Sequence, residues 1–183
     1  MGGEQRTRLL DLLRERSFAR RRVVLASGKE SDFFIDCKQA VLGAEGHALA
    51  GVVLFEELAH LGHADAVAGV ELGGCPLASA VALISFQRGA PLDAIYVRKD
   101  AKDHGSRRAL EGNTCLAPGA RVVLLEDVVT TGGSTLRAAA KLEAERHVVA
   151  GVVALVDRLE GGSEAIGARY PFRAIYTRRD FMD

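Results

Sequence analysis

Glu126 and Asp127 stand side by side at the end of an apolar run, and the residues that follow, VVTTGGST, are small, hydroxylic or glycine. The helical pattern that begins at Ser134 makes this a strand, a polar turn and a helix. A helix N-terminus presents unpaired N–H groups and the positive end of the peptide dipoles, and so favours an anion. Glycines let backbone approach a phosphate closely, and the Thr and Ser hydroxyls can donate to it. The lysine of G-x-x-x-x-G-K-[ST] is missing, and no G-x-G-x-x-G is present, so neither common nucleotide loop applies. Two carboxylates would repel a phosphate, so they need a different partner next to it. Vicinal sugar hydroxyls are such a partner, because a carboxylate accepts from both. Acids followed by a phosphate nest point to ribose 5-phosphate.

A second chemical stretch runs from Arg98 to Arg108. It carries five Arg/Lys (98, 99, 102, 107 and 108) against Asp100 and Asp103, with His104 among them, a local charge of +3. Gly105 and Gly112 supply hinges, and the segment is longer than a simple connection requires. On the same rim as a phosphate nest it reads as a cationic lid over pyrophosphate. His60 and His63 lack metal-ligand spacing, and Cys75 has no His beside it in sequence to make it a nucleophile.

The elements that must position these residues are legible in coarse form. Helical patterns cover 7–16, with Thr7 as cap, then 44–61, 77–86, 134–145 and 163–168. Short strands at 22–25 and 33–36 flank a turn and form a hairpin. Strands at 66–70, 93–97, 121–126, 148–156 and 172–176 are continuously apolar and separated by helices. That pattern predicts an α/β fold with a mainly parallel sheet covered on both faces. Ligands of such sheets bind at the C-terminal ends of strands, here the junctions 70–74, 98–112 and 126–134.

At 183 residues the chain reads as one domain, 1–183. Lys plus Arg equals Asp plus Glu at 24 each, which gives no bias toward nucleic acid or membrane. Three scattered cysteines argue against a disulfide or zinc framework, and the N-terminus lacks a signal-peptide core, so a cytoplasmic protein is expected.

With these residues in hand a resemblance can be stated. EDVVTTGGST resembles the 5-phosphoribosyl 1-pyrophosphate (PRPP) motif of the type I phosphoribosyltransferases. YVRKDAKDHGSRRALEG, LASGKESDFFIDCK and VVALVDRLEGG are similar to the loop, hairpin and late-strand segments of the orotate phosphoribosyltransferases. The resemblance implies the type I fold, with a hood formed by about residues 1–40 and the C-terminal segment, and a lid loop. It implies transfer of ribose 5-phosphate from PRPP to orotate in pyrimidine biosynthesis, with Mg²⁺ as cofactor and a homodimer that shares its lids. By motif match Arg98, Lys99, Lys102 and His104 would meet pyrophosphate, with Lys102, Asp103 and His104 as candidates for the catalytic proton transfer. Glu126, Asp127, Val128, Val129, Thr130, Thr131, Gly132, Gly133 and Ser134 would hold the ribose phosphate. Phe33, Phe34, Thr130 and Arg158 would form the orotate pocket. The metal would be held mainly through PRPP, near Glu126 and Asp127.

Three positions depart from the family pattern. Ala26 stands where a lysine is common, with Lys29 just beyond. Glu71-Leu72-Gly73-Gly74 replaces a Tyr-Lys-Gly loop, so backbone N–H groups of Leu72, Gly73 and Gly74 are expected to take the lysine's part. The acid pair is Glu-Asp rather than Asp-Asp. Transfer to another base, or PRPP sensing without catalysis, are the alternatives; the hairpin and DRLEGG argue against the first. Intact Lys102 and His104 and the lack of an appended nucleic-acid-binding element argue against the second.

Overall fold

The computed structural model describes residues 2–24, 30–99, 109–112 and 116–182. Its centre is a six-stranded sheet of β3 (Ala66–Val70), β4 (Asp93–Val97), β5 (Leu110–Glu111), β6 (Arg121–Val129), β7 (Val148–Asp157) and β8 (Phe172–Thr177). The spatial order is β5-β4-β3-β6-β7-β8, parallel except for the two-residue β5, which pairs antiparallel with β4. Both faces are buried, so alternate residues of one strand serve two cores. Val67, Val123, Leu125, Val153 and Leu155 face α1 (Gly2–Arg16), α3 (Ala44–Leu58) and α4 (Gly74–Gln87). Ala68, Val122, Leu124, Val152 and Ala154 face α5 (Gly133–Ala144) and α6 (Gly162–Gly167). This explains why the strands read as unbroken apolar runs.

A separate hairpin, β1 (Phe18–Val24) with β2 (Glu30–Ile35), lies against the C-terminal helix α7 (Arg179–Met182). Phe33 packs on Phe18 and Phe181 at ring centroid distances of 5.2 and 5.8 Å, and Phe181 meets Tyr176 edge-on. Tyr176 Oη donates to the Arg6 carbonyl at 2.6 Å, so chain start and chain end are stitched together.

The expected elements are present, with shifted ends and three additions: α2 (Lys38–Val41), β5 and α7. These are four, two and four residues long, too short for periodicity to reveal. α1 starts at Gly2, so Thr7 lies inside it, its hydroxyl donating to the Gly3 carbonyl at 3.0 Å. β1 begins at Phe18 despite Arg20, Arg21 and Arg22, because pairing with β2 satisfies its backbone. β6 does not stop at the acid pair. It continues to Val129 because Val128 and Val129 pair with Val156 and Asp157 of β7.

Candidate active site

The rim at the C-terminal ends of β3, β4, β6 and β7 collects the chemistry. Alternation along β6 sends the two acids into different surroundings. Glu126 is only 5% exposed, and its Oε2 accepts the Thr135 hydroxyl at 2.9 Å. Burial, and then the neighbouring Asp127 charge, push the Glu126 carboxyl up to about 8. Asp127 is half-buried, and its Oδ1 accepts the Val128 N–H at 2.9 Å. Its other oxygen lies over Gly73: a Cβ built there would sit 1.9 Å from Asp127 Oδ2. The space a side chain at position 73 would use is therefore filled by the acid, a physical reason for glycine where the family pattern has lysine.

The turn that follows is built for α5. Gly132 takes φ +78°, the left-handed conformation that glycine adopts freely, and helix bonding starts with Leu136 N–H to the Gly132 carbonyl at 2.9 Å. Thr130, Thr131, Gly133 and Ser134 thus surround a helix N-terminus whose first N–H groups have no partner within the helix. Val128 is half-buried and Val129 is buried in the core.

Beside this nest, residues 71–74 turn from β3 into α4, with a cis peptide between Glu71 and Leu72. Leu72 is exposed, while Gly73 and Gly74 are buried against the acid pair's strand. Arg98 and Lys99 leave β4 next to them. Arg98 pairs loosely with Glu111 at 3.4 Å, and Lys99 N–H donates to Glu71 Oε2 at 2.7 Å. Cys75 is a packed thiol, pushed up to about 11 by burial and by Glu71, and so is not poised as a nucleophile.

Arg158 follows β7 and is 8% exposed. It donates to the Phe33 carbonyl at 3.1 Å, pairs with Glu160 at 3.0 Å, and sits 5.4 Å from the Phe33 ring centre. The structure thereby brings Arg158 to the hairpin across 125 residues of sequence. The Phe33 ring itself is fully buried among Phe18, Phe181, Arg158 and Arg178, whereas Phe34 is half-buried. Lys29, Lys102, Asp103 and His104 lie outside the described residues, as does Ala26.

Three side chains near the site had no role assigned from sequence. Lys38 pairs with Asp36 at 2.5 Å, and that bond together with the charge of Asp127 raises its ammonium. Glu71 and Lys141 grip the chain at Arg98 and Lys99. The only sequence signal for Lys141 was its place two turns into the helix that begins at the phosphate nest.

This arrangement, an acid pair leading into a phosphate nest with a cationic strand end beside it, has counterparts in known proteins. Residues 50–168 match the phosphoribosyl transferase domain family. The chain belongs to the phosphoribosyltransferases. An orotate phosphoribosyltransferase from Sorangium cellulosum (strain So ce56) is 66% identical over 182 residues, which covers 99% of this chain and 95% of that protein. The crystal structure of Mycobacterium tuberculosis H37Rv orotate phosphoribosyltransferase with Fe(III) dicitrate superposes with a TM-score of 0.83 at 36% identity, covering 98% of this chain and 99% of that one. The same M. tuberculosis protein in complex with PRPP gives 0.77 at 30% identity, over 98% and 92%. Within its family, the chain belongs with the orotate phosphoribosyltransferases.

Proposed function

We propose that this chain transfers ribose 5-phosphate from PRPP to the ring nitrogen of orotate, releasing pyrophosphate and forming orotidine 5′-monophosphate for pyrimidine biosynthesis. One observation carries the reading: the Glu126–Asp127 pair opens directly onto the α5 nest, while Arg158 closes the same rim from the hairpin side.

In this reading the N-terminus of α5, with Thr130 to Ser134, takes the 5-phosphate, and Glu126 and Asp127 accept from the ribose hydroxyls. Arg158 offers a fork-shaped donor to a planar anion, with Phe34 beside it on the hairpin. The bond from the anomeric carbon to pyrophosphate breaks early, so the transition state gathers negative charge on the leaving group. Arg98, Lys99 and the backbone N–H groups of Leu72, Gly73 and Gly74 stabilise that charge, with Lys102. Lys102, Asp103 and His104 are the groups proposed for proton transfer to it. Closure of the 98–108 segment would exclude water that otherwise hydrolyses PRPP.

Mg²⁺ fits this donor set. Among the described residues no three His, Cys, Asp or Glu side chains converge. A magnesium ion that rides on substrate phosphates needs only one or two carboxylates, and the half-buried Asp127 can offer one directly or through water, with the buried Glu126 behind it. When bound it would supply charge neutralisation at the pyrophosphate. We place the enzyme in the cytoplasm, as a homodimer that shares its lid segments. Exposed Leu42, Leu83 and Phe86 on and beside α3 and α4 support the dimer. Among the described residues no helix is long and apolar enough to cross a membrane.

The test follows orotate's ultraviolet absorbance with PRPP and Mg²⁺, with uracil, hypoxanthine and adenine as competing bases. Orotate should be consumed and the others left; retention of orotate absorbance would reject the assignment.

A further inference from the structure

Lys141 and Glu71 hold one short piece of chain from two directions. Lys141, on α5, donates from Nζ to the carbonyl oxygens of both Arg98 and Lys99, each at 2.7 Å. Glu71, the first residue of the 71–74 turn, accepts the Lys99 N–H at 2.7 Å, and its own N–H donates to the Val97 carbonyl at 2.9 Å. Arg98 N–H is bonded to the Ala109 carbonyl at 2.9 Å, which ties the end of β4 to the residue before β5. Lys141, Ser134, Arg98 and Lys99 also line one small cavity of about 20 Å³, so α5 and the end of β4 meet there directly.

These contacts answer a chemical difficulty. A loop meant for pyrophosphate should not present a carboxylate, yet position 71 is Glu. Its Oε2 is turned to the Lys99 N–H, which gives the carboxylate a donor in the wall of the site. Lys141, half-buried, spends its charge on backbone carbonyls at the strand end.

We infer that Lys141 and Glu71 are positioning residues for the pyrophosphate half of the site: they clamp the Arg98–Lys99 peptides between α5 and the 71–74 turn, so that these two cations stand at a set place beside the phosphate nest. The inference rests on the PRPP reading above. It predicts a split between substrates, because the Arg158 and Phe33 region lies on β7 and the hairpin, away from the clamp.

The experiment compares wild type with Lys141→Met, Lys141→Arg and Glu71→Ala. Met keeps the apolar stem and helix preference while removing the donor. Lys141→Met is expected to raise the KM for PRPP about ten-fold, the scale of losing bonds from a charged donor, and to leave the KM for orotate within about two-fold. Lys141→Arg should restore most of the PRPP affinity, which a merely structural role in α5 would not require. Glu71→Ala reaches the same peptide from the other side and should shift the PRPP constant in the same direction; it also carries the test if the Met variant folds poorly, with thermal midpoints as the fold control. PRPP affinity is measured in parallel by calorimetry without orotate, so the clamp can be judged even if the base assignment fails. Wild type that does not bind PRPP at all would reject the underlying reading. Folded variants with wild-type PRPP affinity, or an equal rise in both KM values, would overturn the clamp.

Discussion

Glu126 is the residue on which the site's electrostatics turn. Its carboxyl is raised from an ordinary 4.5 to about 8 by burial and by Asp127, so the folded protein holds this proton where the unfolded chain has released it. Between pH 4.5 and 8 the native state therefore binds more protons, and stability falls as pH rises through that window. Glu126→Gln keeps an acceptor for the Thr135 hydroxyl and removes the titration. Its thermal midpoint should match wild type near pH 4 and exceed it at pH 8 by several degrees, roughly 2–4 °C for each kcal/mol in a domain of this size. Parallel midpoint curves across that range would show that burial does not set this proton. Above pH 8, where the wild-type carboxyl is ionised, the same variant should lose PRPP affinity, since a neutral amide is a weaker partner for ribose hydroxyls. At this scale the sequence was a good guide to identity: the acid pair, the nest and Arg158 were all named from motif and charge. It could not tell the two acids apart, because only burial makes Glu126 and Asp127 different.

The turn between β3 and α4 shows how an element constrains the site. A Cβ on Gly69 would lie 2.2 Å from the Gly74 carbonyl oxygen and 2.4 Å from its carbon, both backbone atoms with no rotamer to relieve them. Gly69→Ala should therefore displace the whole 71–74 turn and cost about 3 kcal/mol, the upper part of the range for overpacking. Denaturant melts will read this as a lower midpoint with little change in slope; a loss under about 0.5 kcal/mol, the level of ordinary surface changes, would mean the turn is free to move. Strand and helix cores were legible because a two-faced sheet demands continuous apolar strands. Ends were not. The run of β6 past Glu126 to Val129 depends on partners in β7, and α2, β5 and α7 are too short to carry a period of their own.

For the whole molecule, an apolar groove of about 610 Å³ between α3 and α4 is lined by Leu42, His47, Ala80, Leu83 and Ile84, and Phe86, also on α4, is 74% exposed. If the proposed homodimer uses this face, Phe86→Asp combined with Leu83→Asp should halve the mass seen by light scattering while circular dichroism stays unchanged. A wild-type protein that runs as a monomer, or a dimer indifferent to both charges, would remove this face from the assembly. Taken alone, the amino-acid order determined the α/β class, the placement of the phosphate nest at a strand–helix junction, and the type of substrate its charges suit. These depend on local period and on chemically distinctive neighbours in the chain. Tertiary structure alone decided that Lys141 and Glu71 meet at Lys99, across 42 and 28 residues, and that Arg158, grouped with Phe33 by resemblance, bonds its carbonyl across 125. It also decided that the Asp127 carboxylate fills the space above Gly73. Such pairings arise where strands of a parallel sheet end on one rim, and their spacing in sequence is set by the crossovers between them, which carry no record of which side chains will meet.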